Sequence, residues 1–265
     1  MSKGRIIHGE CVQVLENTFP DSCVDLVVTS PPYDSMRSYN GYIFRFEKLV
    51  EQLYRVVKDG GVVVWVVNDE TVEGCETGNS FRQALYFMET GFRLFDTMIY
   101  DKGGAGGARG SNYSYWQSFE YMFVFSKGMP KQIHLLEDKV NVSHTEREIY
   151  TTKREKSGKI VGRKISGIKE FGRRTNVWRY SVGSHSSSDR IAFEHPAIFP
   201  EKLAEDHILS WSKEGDLVLD PMCGSGTTCK MAKKNQRRYV GIDISEKYCR
   251  LARRRVRGED EVGSS

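Results

Sequence analysis

Two short stretches hold residue types that could do chemistry together. The first is Thr29-Ser30-Pro31-Pro32-Tyr33, which follows the apolar run Val24-Asp25-Leu26-Val27-Val28. Such a run, stopped by two prolines, reads as a buried strand. The proline pair keeps the chain extended, so the Pro31 carbonyl points outward and cannot enter a helix. Ser30 sets a hydroxyl acceptor beside it, and Tyr33 a flat apolar face. One hydroxyl, one bare carbonyl and one aromatic plate would grip an exocyclic amino group on a flat ring. A turn that prolines merely stiffen is the competing reading.

The second stretch is Asp220-Pro221-Met222-Cys223-Gly224-Ser225-Gly226-Thr227-Thr228. A strand over 216–220 runs into it, and a helix follows to about residue 234. Its glycines let the backbone approach a ligand closely. Asp243 ends the next strand, about 20 residues on, where an acid can hold ribose hydroxyls. Cys229 stands where a dinucleotide fingerprint has its third glycine, and no phosphate-binding lysine follows. Asp220 and Asp243 thus suit a cofactor with a ribose and a cationic amino-acid tail but no phosphates. S-adenosylmethionine has that make-up. A tight strand–helix connection without ligand stays open, and so does a dinucleotide enzyme.

Alternating strands and helices must position these stretches. Phe46, Leu49, Val50, Leu53, Tyr54 and Val57 form one face of a helix that Gly60-Gly61 ends. Residues 62–67 follow as a buried strand. A helix over 80–89 stops at Gly91, and strands lie near 92–100 and 120–125. The glycine-rich run 103–110 between them is too permissive for regular structure. Residues 201–212 read as a helix with Pro200 in its first turn. Ser245 can cap a last helix that buries Tyr248, Leu251, Ala252 and Val256. The pattern predicts an α/β fold with a mostly parallel sheet covered on both faces.

The chain has 265 residues and a net charge of +4. Residues 127–190 carry 15 Lys and Arg against 7 Asp and Glu, so this segment is at +8 and the remainder at −4. That asymmetry points to a polyanion partner or to a solvated insertion. The six cysteines form no CxxC pair and no zinc-ligand spacing. Reduced thiols follow, with no disulfide scaffold, zinc finger or other metal site. No apolar run reaches the ~18–20 residues of a membrane span, and no signal-peptide pattern opens the chain. These features suggest a cytoplasmic protein.

Taken together, the two motifs resemble the S-adenosylmethionine-dependent amino-group DNA methyltransferases, in the permuted order called the beta class. His195-Pro196-Ala197-Ile198-Phe199-Pro200 precedes the glycine turn, as a further cofactor motif does in that family. Gly241-Ile242-Asp243-Ile244 follows it. Ile7-His8-Gly9-Glu10-Cys11 is similar to the family's N-terminal strand and acidic turn, with Glu10 where aspartate is usual. The resemblance covers nearly everything outside 128–190. It implies a circularly permuted, Rossmann-like methyltransferase fold. Residues 1–127 would be the catalytic half, 128–190 a target-recognition insertion, 191–258 the cofactor half and 259–265 a tail.

By the same resemblance, Ser30 and the Pro31 carbonyl accept hydrogen bonds from the target amino group. Pro32 stiffens the turn, and Tyr33 stacks on a base flipped from duplex DNA. Asp220 would meet the methionine end of the cofactor and Asp243 its ribose. Glu10, Phe199, Pro221, Cys223, Gly224, Gly226 and Thr227 would shape the same site. Lys153, Arg154, Arg163, Lys164, Arg173 and Arg174 suit phosphates. Arg179, Tyr180, His185 and Ser186-Ser187-Ser188 could read base edges, with solvated surface as the alternative for most of these. Arg109, in the glycine-rich run, would also meet DNA. That run, with Tyr113, Tyr115 and Trp116, could close over the substrate, or the aromatics could pack in the core. The arginines from 253 to 257 would complement a helix dipole.

No Pro-Cys pair occurs, which speaks against chemistry at cytosine carbon 5. A leading serine, as at Ser30, usually marks cytosine N4 in this family, and a leading Asp or Asn adenine N6. The resemblance implies a site-specific cytosine-N4 methyltransferase of double-stranded DNA, monomeric or homodimeric. Adenine-N6 methylation, an RNA substrate and a catalytically silent DNA-binding protein are the alternatives.

Overall fold

The computed structural model describes residues 4–32, 44–103, 115–183, 186–195, 198 and 200–259. Tyr33, Arg109, Tyr113, His185 and Phe199 lie outside them. The chain forms two compact units, one of Met1–His134 with Asn176–Ser265 and one of Leu135–Thr175.

The larger unit starts with β1 (Gly4–His8), α1 (Cys11–Thr18) and β2 (Val24–Thr29), then α2 (Phe46–Val56) and β3 (Val57–Val67). It continues with α3 (Asn79–Glu89), β4 (Arg93–Asp101), β5 (Phe119–Ser126) and a short β6 (Val177–Arg179). It closes with α4 (Glu201–Trp211), β7 (Leu217–Asp220), α5 (Thr227–Lys234), β8 (Arg238–Asp243) and α6 (Glu246–Arg257). The eight strands form one sheet in the order β1-β8-β7-β2-β3-β5-β4-β6. The first five of that order are mutually parallel. β5 runs antiparallel to both its neighbours, and β6 parallel to β4.

Alternation along the strands explains the two covered faces. Val27, Val63, Trp65, Phe123, Phe125, Leu219 and Ile242 join one core with α1, α2 and α3. Phe87 of α3 stacks on Phe125 at 4.3 Å. Each of Leu49, Val50, Leu53 and Val56 on α2 is fully buried, worth about 1.5–3 kcal/mol apiece. The opposite face carries α4, where buried His207 meets Met122 of β5.

Two boundaries differ from the sequence expectation. α2 ends at Val56, and β3 begins at once with Val57 paired to Val24. Gly60-Gly61 therefore lie inside the strand, not at a helix end. A register shift between Val24 and Leu26 takes up the irregularity, with Gly60 at φ 79° donating its N–H to Lys127. β6 is the second difference: the basic segment 127–190 supplies an edge strand to the main sheet.

The smaller unit is a β structure. A ribbon pairs Ile149–Arg154 with Ile160–Ile165 in antiparallel register. Lys139–Val140 pairs with Phe171–Gly172, and an isolated bridge joins Thr145 to Ile168. Its span, 135–175, is narrower than 128–190.

Candidate active site

Because β1, β8, β7 and β2 are adjacent and parallel, their carboxyl ends lie side by side. Glu10, Asp243, Asp220 and Ser30 follow or end these strands. Ligands bind at this edge of α/β sheets. Four residues far apart in sequence thus reach one rim.

Asp220 is the joint between the two motifs. It is 2% exposed, and its Oδ1 accepts the Thr29 hydroxyl at 2.8 Å and the Met222 N–H at 3.2 Å. The Thr228 hydroxyl lies against the same carboxylate, and its one proton is shared with the Val28 carbonyl at 3.1 Å. The glycine turn is thereby tied to the last residues of β2. Burial pushes the Asp220 carboxyl up to about 6, against the pull of these neutral donors. Ser30 is half-buried, Pro31 buried and Pro32 half-buried, all outside regular structure.

Asp243 holds the other side of the turn. Its Oδ2 accepts the Gly224 N–H at 2.9 Å and its Oδ1 the Ser245 N–H at 2.8 Å. Burial raises this carboxyl as well. The glycines are needed for close packing. A Cβ on Gly224 would lie 2.8 Å from the His195 ring, and one on Gly226 2.7 Å from the Ala252 Cβ. Gly226 also sits at φ 80° as the cap of α5, where a side chain is strained.

Other predicted cofactor residues have visible structural tasks. Glu10 caps α1, accepting from the Val12 and Gln13 N–H groups at 3.0 and 2.9 Å, and pairs with Arg45. Pro221 is buried in the turn. Cys223 is buried, and its hydrogen bond to Cys229 together with burial pushes its thiol well up. Both sulfurs press on Gly241, where a Cβ would sit 2.9 and 2.8 Å from them. Cys229 can replace a turn glycine because Gly241 leaves it room.

Arg255 is the residue that sequence reasoning places wrongly. It does not serve the dipole of α6 from the surface; its side chain is fully buried. Nη1 donates to the Ser225 carbonyl, the Ser225 hydroxyl and the Thr227 hydroxyl at 2.8, 2.9 and 3.0 Å. Nε donates to Asp189, and Nη2 to Ser187 and Glu201. Lys230 joins Asp189 and Glu201 from α5. A signal was present: Arg255 shares the apolar stripe of Leu251, Ala252 and Val256.

The same network corrects the serines. Ser187 and Ser188 are bound to Glu201, Arg255 and Lys230, and Ser186 is buried, so this triplet is structural and does not offer base-reading hydroxyls. Tyr180 donates to buried Asp206 at 2.8 Å. Arg179 is exposed and ion-paired with Asp101. Tyr115 and Trp116 are exposed, so neither packs in the core. Among the described residues no group of His, Cys, Asp or Glu could hold a metal, and no helix could cross a membrane.

In the smaller unit the basic residues divide. Arg173 pairs with Glu137, and Arg174 makes two bonds to Asp138. Lys153, Arg154, Arg163 and Lys164 are exposed on the ribbon. Lys164 reaches Glu148, and Arg154 the Gly158 carbonyl.

Comparison with known proteins agrees with this geometry. A family model described as DNA methylase matches residues 24–254. The orphan methyltransferase M.BamHII of Bacillus amyloliquefaciens is 54% identical over 246 residues, 92% of each chain. The solved PvuII DNA methyltransferase (cytosine-N4-specific) has a TM-score of 0.68 at 19% identity, over 96% of this chain and 86% of that one. The M1.HpyAVI–SAM complex has a TM-score of 0.62 at 18% identity, over 95% and 98%. At such identities these two structures speak for the fold alone. With a family match across most of its length and a relative 54% identical over 92% of both chains, the chain belongs to the amino-group (N6 and N4) DNA methylases.

Proposed function

We propose that this protein methylates the N4 amino group of cytosine in double-stranded DNA, with S-adenosylmethionine as donor. The observation that carries the reading is the Thr29–Asp220 hydrogen bond. It sets the amino-gripping turn and the acidic glycine turn against each other at one rim.

The residues present fit this cofactor. Asp220 is a buried carboxylate whose named partners are neutral donors, and burial keeps its pKa high. Such a group gains when a cation arrives and repels a phosphate. Asp243 retains acceptor capacity for ribose hydroxyls beside its two backbone bonds. Glu10, Pro221, Cys223, Gly224, Gly226 and Thr227 shape the walls, and Phe199 belongs to the same motif set. The bound cofactor supplies an electrophilic sulfonium methyl group.

An exocyclic amino nitrogen is a poor nucleophile because its lone pair is conjugated into the ring. Ser30 and the Pro31 carbonyl accept its two protons as hydrogen bonds, which localises the lone pair for in-line attack. Alignment of this kind is worth roughly 7–11 kcal/mol. Tyr33 stacks on the flipped base. Ser30 at the head of the motif supports cytosine N4 over adenine N6. β7 and β8 come last in the chain yet lie between β1 and β2 in the sheet, which supports the permuted order of the beta class. The unit 135–175 is the target-recognition element, with Lys153, Arg154, Arg163 and Lys164 as its exposed ribbon cations. Arg173 and Arg174 are engaged by Glu137 and Asp138 and contribute less to phosphate binding.

The test is product analysis. Plasmid DNA is incubated with the protein and labelled S-adenosylmethionine, digested to nucleosides and analysed by mass. N4-methylcytosine is expected, and Ser30→Ala should lower its rate at least a hundredfold. N6-methyladenine as sole product would overturn the N4 assignment, and a label found in structured RNA alone would overturn the DNA substrate.

A further inference from the structure

We infer that the ribbon Ile149–Arg154/Ile160–Ile165 is the sequence-reading element, and that it meets the major groove through the face carrying Tyr150, Thr152, Arg154 and Lys164. This rests on the DNA-methylating function proposed above.

Charge singles out the ribbon. From Ile149 to Ile165 there are six Lys and Arg and one acid, Glu155. The rest of the unit Leu135–Thr175 holds five of each sign. The whole excess positive charge of the unit therefore lies on the ribbon and its tip. A polyanion is the partner that charge pattern fits.

Register then selects the face. Side chains alternate across a strand, so each Lys-Arg pair adjacent in sequence is split between two faces. Tyr150 opposes Lys164, Thr152 opposes Gly162, and Arg154 opposes Ile160; these six share one face. Ile149 with Ile165, Thr151 with Arg163, and Lys153 with Val161 share the other. All three half-buried residues of the ribbon, Ile149, Val161 and Ile165, lie on that second face. The first face is exposed throughout, with Tyr150 at 82% and Ile160 at 57%.

The open face has the dimensions and chemistry of a groove reader. Two strands about 4.8 Å apart, with side chains, fit a major groove about 12 Å wide. Six residues span about 20 Å, roughly six base-pair steps. Tyr150 and Thr152 offer hydroxyls, and Arg154 and Lys164 offer donors of the kind that reads guanine. Gly162 has no atom within 4 Å of where its Cβ would be, which leaves the centre low beside Thr152. The Lys164–Glu148 pair is largely exposed, and such pairs exchange readily for another partner. Lys153 and Arg163 point away from this face and serve phosphates.

The experiment compares faces. The sequence context of methylated bases is mapped in plasmid DNA for wild type and for single alanine variants. Tyr150→Ala, Thr152→Ala, Arg154→Ala and Lys164→Ala probe the open face; Lys153→Ala and Arg163→Ala probe the other. Open-face variants should relax or change the preferred base at defined positions, by tenfold or more at the most affected one. Lys153→Ala and Arg163→Ala should keep the sequence context and bind DNA with a shallower salt dependence. Variants too slow to map are scored by competition between the wild-type site and a scrambled duplex. All positions are exposed, and melting curves confirm folding. An unchanged context in all four open-face variants overturns the inference, as does a changed context in the other pair alone. A wild type that methylates DNA without sequence preference overturns it too. A wild type that places no methyl group in DNA overturns the underlying function instead.

Discussion

The rim of the sheet and the ribbon are both rich in charge, yet they hold it in opposite ways. At the rim, Asp220, Asp243 and Arg255 are buried and each is bound several times over. On the ribbon, Lys153, Arg154, Arg163 and Lys164 stand in solvent with few partners. A buried charge is costly unless every bond is in place, so geometry there is all-or-none. An exposed charge is screened and replaceable. The rim can therefore set atoms for chemistry, while the ribbon can vary its contacts without endangering the fold. Substitutions should separate the two regions by size of effect.

The largest effect is expected at Arg255. Arg255→Met keeps part of the aliphatic stem but removes the guanidinium from Asp189, Glu201 and the Ser225 carbonyl, leaving Lys230 as the one named cation on the two acids. Breaking one partner of a buried ion network costs about 3–5 kcal/mol. Urea unfolding should show that loss, and Arg255→Lys should recover only part of it because one ammonium cannot reach seven acceptors. A ribbon charge such as Lys164→Ala should cost under about 1 kcal/mol in the same assay. Equal losses at the two sites would erase the contrast.

Asp220 gives the next effect, and its sign is unusual. Burial raises this acid from 3.8 to about 6. A raised acid favours folding while it is protonated, below the unfolded value, and that contribution is lost as pH climbs through about 6. The difference amounts to about 3 kcal/mol by pH 7. Asp220→Asn has no proton to lose, and its amide oxygen can still accept from Thr29 and Met222. The ligand-free variant should melt higher than wild type at pH 7 and show no such advantage at pH 4. It should also bind S-adenosylmethionine poorly. Parallel melting profiles from pH 4 to 8 would contradict the burial argument.

What the sequence shows of the two regions follows from the same contrast. The rim is legible because its parts are local: an acid ending a strand, two glycines, a proline pair. Asp220 and Asp243 end their strands and Glu10 stands in the turn after β1, as the pattern predicts. The parallel crossovers that bring them together are not local, and neither is the Thr29–Asp220 bond. Arg255 was visible as a charge on an apolar stripe, but its acceptors sit 28 to 68 residues away in the chain. The direct passage from α2 to β3 is hidden because Gly60-Gly61 imitates a helix end. β6 is hidden because three residues carry no period. On the ribbon, Lys153-Arg154 reads as one basic pair until the register shows that its members face opposite ways.

Gly226 tests the rim through packing alone. Its Cβ would meet the Ala252 Cβ at 2.7 Å and the Ala252 Cα at 3.0 Å, so no flexible side chain can yield. Gly226→Ala should cost about 1–3 kcal/mol and displace the start of α5. Calorimetric titration should then show weaker S-adenosylmethionine binding. Gly162→Ala, in open space on the ribbon, should leave both stability and cofactor binding nearly unchanged.

The smallest effect separates cations within the smaller unit. Each phosphate contact adds close to one to the slope of log affinity against log salt. Lys153 and Arg163 are exposed, so Lys153→Ala with Arg163→Ala should lower that slope by about two. Arg173 and Arg174 already face Glu137 and Asp138. To meet a phosphate they would have to leave a carboxylate that then repels the same phosphate. Arg173→Ala with Arg174→Ala should therefore move the slope by less than about one, and stability by under about 1 kcal/mol. A slope change equal to that of the ribbon pair would show that the ion pairs open on DNA. The division between engaged and free cations would then fail, even though both sets remain on the surface.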